Sequence, residues 1–186
     1  MDVRTTPLRA LVRCALVGLA LALVGCVRIP AGVEPVADFD SERYLGRWYE
    51  IARLDHSFER GLSRVTAQYG ARDDGGVSVV NRGFNADANG GQGEWDSVTG
   101  RAYFVEGADL AYLKVSFFGP FYGAYIVFDL DADYRHALVS GPNRDFLWLL
   151  ARSPEPAPEV VAALVARAAA AGFATEELIF VDHSNP

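Results

Sequence analysis

Between Trp48 and Arg152 the chain consists of short runs in which apolar and polar residues alternate, broken by Gly, Asp and Asn. Val65-Thr66-Ala67-Gln68-Tyr69 alternates and stops at Asp73-Asp74-Gly75-Gly76, and Val77-Ser78-Val79-Val80-Asn81 resumes the pattern. Runs of this kind between turn residues predict strands joined by hairpins. With 48–54, 100–105, 112–118, 124–130, 136–141 and 146–152 they make eight strands, and 85–93 reads as a longer polar loop. A last apolar run, 178–181, predicts a short ninth strand.

One segment breaks the alternation. Pro154, Pro156 and Pro158 lead into 159–171, and Gly172 stands where a C-terminal cap belongs. Val161, Leu164, Val165 and Ala168 fall on one helical face. Eight consecutive antiparallel strands and one late helix predict an all-β fold, an eight-stranded up-and-down antiparallel barrel with the helix packed outside. Closure leaves no free sheet edge. Alternation turns Leu113, Val115 and Phe117 inward and Lys114 and Ser116 outward. Residues 124–128 and 146–150 are apolar on both faces, so these strands need cover outside as well, and the amphipathic helix can supply it. Small residues at Ala52, Ala67, Ala102 and Ala137 favour a cavity over a filled barrel, although small side chains also suit a barrel's taper.

The first 25 residues follow a different pattern. Arg4, Arg9 and Arg13 precede an apolar stretch, Ala15 to Gly25, that is too short for the roughly 20 residues of a spanning helix. This stretch ends in Leu23-Val24-Gly25-Cys26, which resembles the lipobox of bacterial lipoproteins. The resemblance implies a signal peptide over 1–25, cleavage before Cys26, and acylation of that cysteine as a membrane anchor. Residues 26–40, with two prolines and a glycine among them, read as the acylated end and a tether, and 41–186 as the barrel domain. Loss of 1–25 removes Arg4, Arg9, Arg13 and Asp2 and takes the formal charge from -7 to -9. So acidic a domain argues against nucleic acid as a partner. With Cys14 removed and Cys26 acylated, neither a disulfide nor a thiol nucleophile is expected.

Gly46-Arg47-Trp48-Tyr49-Glu50-Ile51 resembles the first signature of the lipocalins, and Arg152, at the end of the last strand, matches their third. The resemblance implies that Arg152 lies across the Trp48 ring and closes one end of the barrel, a cation–π contact. The second signature is usually Thr-Asp-Tyr; here it reads Asp131-Ala132-Asp133-Tyr134. The blocks GRWYEIARLDHSFERGL, LKVSFFGPFYG, ALVSGPNR and LWLLAR are similar to the bacterial outer-membrane lipocalins, themselves lipoproteins, over about residues 38–182. Localisation at the periplasmic face of the outer membrane is the corresponding expectation. Val27 fits it, since in lipoprotein sorting an aspartate after the cysteine typically marks retention at the inner membrane.

The expected function is binding of an acyl lipid, a fatty acid or lysophospholipid, and the resemblance to the bacterial branch implies that it serves storage or transport in envelope maintenance under stress. The expected lining is Ala52, Val65, Ala67, Tyr69, Val77, Val79, Asn81, Val98, Ala102, Phe104, Leu113, Val115, Phe117, Ile126, Phe128, Ala137, Val139, Phe146 and Trp148. Trp148 reads equally as pocket lining or as plain core. The aromatic hairpin 117–122 reads as core packing or as a surface for a membrane or a partner chain. Two other readings compete: a structural envelope lipoprotein with a filled barrel, and a lipocalin-type enzyme. Against catalysis, His56, His136 and His183 are scattered and show no zinc-ligand spacing. No cofactor or metal is expected, and a homodimer stays open.

Overall fold

The computed structural model describes residues 27–184; Cys26 and the signal segment lie outside them. A short helix α1 (Ser41–Tyr44) precedes β1 (Gly46–Arg53), β2 (Leu62–Ala71), β3 (Val77–Asn85), β4 (Glu94–Phe104), β5 (Tyr112–Ser116), β6 (Gly123–Leu130), β7 (His136–Ser140) and β8 (Leu147–Ala151). Helix α2 (Pro158–Ala170) and β9 (Ile179–Phe180) follow. From β1 to β8 each strand pairs antiparallel with the next, and β1 pairs with both β2 and β8, which closes the barrel.

Closure is incomplete toward one end, where β1 leaves β2 after Tyr49. Here β9 pairs with β1, Ala52 opposite Phe180, and the Arg64 amide donates to the Asp182 carbonyl at 2.8 Å. The C-terminal strand thus fills the gap between β1 and β2. Strands β3 and β4 run longer than alternation predicts: 94–99 continue the ladder opposite 80–85. The extension escapes the alternation because its few apolar residues, Phe84, Trp95 and Val98, stand among polar and small ones and make no sustained period of two.

Three bulges shift the register, one of them in β2 between Ser63 and Thr66. In β1, Glu50 pairs with Leu150 but Ala52 pairs with Leu149, so the inward face passes from Glu50 to Arg53. In β6, Val127 pairs with Val139 and Asp129 with Leu138. The two faces carry separate cores. Inside, Trp48, Tyr69, Val77, Val79, Leu113, Val127, Val139 and Leu150 pack with Phe39 and Tyr44. Outside, Ile51, Ile126, Leu138, Leu147 and Leu149 meet Leu164 and Ala168 of α2. Pro158 opens that helix at its first turn, and Gly172, at φ +85°, ends it.

The segment read as a tether is packed instead. Val33 and Phe39 are buried, the Val36 amide donates to the Val127 carbonyl at 2.9 Å, and the Phe39 amide donates to the Asp109 carbonyl at 2.8 Å. The spacing Val33, Val36, Phe39 carries the apolar contacts that a slack linker lacks.

Candidate functional site

One end of the barrel is sealed. Trp48 is fully buried, and its indole Nε1 donates to the Tyr44 carbonyl at 2.9 Å. The Arg152 guanidinium lies 4.0 Å above the Trp48 ring and donates to the carbonyls of Arg47 and Arg43 at 2.8 Å and of Tyr44 and Tyr134 at 3.2 Å. Gly46 permits this approach: it sits at φ +94°, and a Cβ there would stand 3.3 Å from Arg152 Nη1. The altered second signature still joins the plug. The Tyr134 hydroxyl accepts from the Asp40 amide at 2.8 Å, and Arg43 stacks 4.1 Å over its ring.

Above the plug, the hydroxyls of Tyr44 and Tyr69 each lie 2.8 Å from that of Tyr125. Burial raises all three phenols well above their ordinary range, so they stay neutral and hydrogen-bond one another. Beside them lies an apolar cavity of about 20 Å³ lined by Phe39, Tyr44, Tyr69, Val77, Val79, Ala102, Phe104, Leu113, Val115 and Tyr125. Ligand pockets commonly measure roughly 300–1,000 Å³. The tyrosines and Phe39 occupy much of the space that the small residues Ala67, Ala102 and Ala137 leave. Toward the other end the inner wall opens to solvent: Val98, in register with Asn81 and hence with Ala67 and Trp48, is 37% exposed.

The mouth side of β1 carries a buried polar group. Arg53 Nη1 donates to Glu50 Oε1 at 2.7 Å, and Nη2 donates to the Glu59 carbonyl at 2.7 Å and the Leu62 carbonyl at 3.3 Å. One guanidinium therefore fastens the β1–β2 loop to the barrel interior. Glu59 Oε2 accepts from Trp148 Nε1 at 3.1 Å and lies 3.0 Å from His56 Nε2. Burial, then the neighbouring Glu59, push the Glu50 carboxyl well above the carboxylate range, more than Arg53 offsets. Burial also pushes Glu59 upward, but His56 and Trp148 outweigh it and hold Glu59 below that range. Of the two, Glu50 therefore holds a proton more readily and Glu59 ionises more readily. His56 stacks on Phe58 at 4.0 Å between ring centroids and leads through Phe146 to Trp148.

The inner wall holds Val65, Ala67, Tyr69, Val77, Val79, Asn81, Val98, Ala102, Phe104, Leu113, Val115, Ala137, Val139 and Trp148, with Phe117 and Phe146 at its mouth end. Phe117 crosses the inner face of Gly100, where a Cβ would come within 2.7 Å of its ring. Ala52, Ile126 and Phe128 do not belong to this wall. The β1 bulge turns Ala52 outward, and Ile126 packs in the outer core. Phe128 stacks on Phe173 at 5.4 Å, beyond the helix. Alternation has no power where both faces of a strand are apolar. Phe39, Tyr44, Tyr125, Glu50, Arg53, His56 and Glu59 escape the sequence reading. For Glu50 and Arg53 the only available signal is a pair of charges inside an otherwise apolar strand.

No group of histidines, cysteines and acids among the described residues is placed to hold a metal ion. Among the same residues no helix is long and apolar enough to cross a membrane.

A lipocalin-like domain family matches residues 39–183. Outer membrane lipoprotein Blc of Vibrio cholerae is 52% identical over 87% of this chain and 93% of its own length. The protein of that name from Escherichia coli K12 is 54% identical over 82% and 84%. Mouse apolipoprotein D is 31% identical over 80% and 79%. Insecticyanin from the tobacco hornworm Manduca sexta shares the fold, with a TM-score of 0.65 at 21% identity over 85% of this chain and 88% of that one. With a Trp–Arg plug at one end, an open mouth at the other and these relatives over most of its length, the chain belongs to the lipocalin family as a bacterial outer-membrane, lipid-anchored member.

Proposed function

We propose that the barrel holds one acyl lipid, a fatty acid or lysophospholipid, and stores or carries it at the periplasmic face of the outer membrane during envelope maintenance. The observation that carries this reading is the continuous apolar inner wall, open at the mouth and sealed below by Trp48 and Arg152. An acyl chain entering from the mouth meets Val98, Phe117 and Val115 and then the small cavity at the tyrosines. Each methylene buried there contributes roughly 0.8 kcal/mol. Because the cavity is far smaller than a chain, binding requires Phe104, Phe117 or Leu113 to change rotamer. The ligand's polar end then lies near Asn81 and His56, whose Oδ1 and Nδ1 have no hydrogen-bond partner in the protein.

A charge on one face of the wall tests this. Val115→Asp places a carboxylate where the acyl chain lies, at a desolvation cost of several kcal/mol. Thr99→Asp places the same group on the exposed outer face, beside inward Val98. Titrated with a fluorescent fatty acid, the folded Val115→Asp protein should lose binding at least tenfold and Thr99→Asp should keep it. Equal affinities would overturn the inner-wall assignment.

Acylated Cys26 is the proposed anchor. Cys26→Ser should leave an unprocessed or soluble protein, seen by membrane fractionation and intact mass. A processed Cys26→Ser protein in the outer-membrane fraction would rule that residue out.

A further inference from the structure

The hairpin between β5 and β6, residues 117–122, plays no part in the sealed end or in the buried polar group. Its tip is strongly apolar and bare: Phe118 is 75% exposed and Phe121 70%. Large phenylalanines so exposed on a folded domain mark a contact surface. Two cations stand behind the tip. Arg101 Nε donates to the Tyr122 hydroxyl at 3.2 Å, and Lys114 Nζ lies 5.3 Å from the centre of the Tyr122 ring. Among the described residues neither cation forms an ion pair with a carboxylate. On a chain of net charge -7, apolar rings backed by two unpaired cations are locally complementary to a surface that is apolar below and anionic above.

The start of the described chain gives an independent indication. The Tyr112 hydroxyl donates to the Val27 carbonyl, and Val27 and Ile29 pack against the outer core. The residue before Val27 is Cys26, so an anchor there has no slack: it lies about 3.8 Å along the chain from a residue held at β5. Tyr112 begins the strand that ends at this hairpin, and Phe118 is six residues further on, about 20 Å along the strand. Anchor and aromatic tip thus share one side of the barrel.

We infer that the 117–122 hairpin docks on the anionic bilayer that holds the anchor, with Phe118 and Phe121 in the acyl boundary and Arg101 and Lys114 at the headgroups. The barrel then lies along β5 with its mouth at the leaflet, so a lipid passes between bilayer and inner wall without crossing water. The geometry of the anchor rests on acylation of Cys26; the docking itself requires no bound ligand.

The test uses the acylated mature protein in vesicles of phosphatidylethanolamine and phosphatidylglycerol that carry brominated acyl chains. Flotation with the vesicles first checks the anchor. F118W and F121W each add indole emission to that of Trp48, Trp95 and Trp148. The added emission should be blue-shifted and mostly quenched by the bromolipid, at any protein-to-lipid ratio. Arg101→Glu combined with Lys114→Glu should restore it, and more completely as the phosphatidylglycerol fraction rises. Phe118→Ser with Phe121→Ser should slow uptake of a fluorescent fatty acid from the vesicles by roughly tenfold per ring. Added emission that stays unquenched and water-like while the protein floats would overturn docking and leave the anchor intact. Emission that is blue-shifted, unquenched and lost on dilution of the protein would assign the hairpin to a second copy instead. Fatty-acid binding by the inner wall is read in the Val115 titration, so the two readings fail separately.

Discussion

Trp48→Ala is expected to lower the unfolding free energy by about 3–5 kcal/mol, the usual cost of emptying a fully buried tryptophan site. The residue sits where collapse is hardest. Tyr44 packs against its ring at 4.8 Å, the Tyr44 carbonyl would lose its indole donor, and Arg152 would face a hole in place of a π-face. Arg152→Ala should destabilise too, because it takes a side-chain donor from four backbone carbonyls at the sealed end, of which only that of Tyr44 keeps another, the Trp48 indole. Urea unfolding of both variants measures the loss, and fatty-acid titration at low urea checks the ligand. The expected result is lower stability with unchanged preference among acyl chains. A marked change of chain preference at intact stability would move these residues from the plug to the ligand site.

Arg53→Ala should cost a similar amount, about 3–5 kcal/mol, since it leaves the Glu50 carboxyl and the Glu59 and Leu62 carbonyls buried without their guanidinium donor. The acids around it should respond in opposite directions. Glu50 has a raised folded pKa, so its contribution is complete below the ordinary carboxylate pKa of about 4.3 and is lost as pH rises toward the raised value. Glu50→Gln mimics the protonated form and should flatten that loss, leaving the variant at least as stable as wild type at mildly alkaline pH. Glu59 has a lowered folded pKa, so its contribution is present above the ordinary value and is lost as pH falls through the lower one. Glu59→Gln should therefore weaken the protein by about 1–3 kcal/mol near neutral pH, through an imperfectly matched buried acceptor. Urea unfolding across pH reads both. A Glu50→Gln protein that loses more stability than Glu59→Gln at neutral pH would reverse the roles of the two acids.

The barrel was legible because period-two alternation is a direct image of a sheet with one apolar face. In β5 and β7, and over 65–69 of β2 and 77–81 of β3, the inward residues follow from it. In β1 and β6 it misleads: Ala52, Ile126 and Phe128 lie outside because a bulge or an outer layer of apolar packing removes the contrast between faces. The long β3–β4 hairpin was hidden for another reason: its few apolar residues, Phe84, Trp95 and Val98, are spaced too irregularly to mark a strand face.

The sequence by itself determined the strand order, the closure of the sheet and the position of α2, since each depends on local periodicity or on a short run of residues; the pairing of Trp48 with Arg152 came from the family resemblance of their two motifs. The tertiary structure decided the rest. It decided that residues 27–40 are part of the domain, that three tyrosines and Phe39 reduce the enclosed space to about 20 Å³, and that Arg53, His56 and Glu59 meet inside the barrel. These features depend on side chains from strands and loops far apart in the chain. Their volumes and charges sum only once the register is fixed, and a one-residue bulge changes which of them meet.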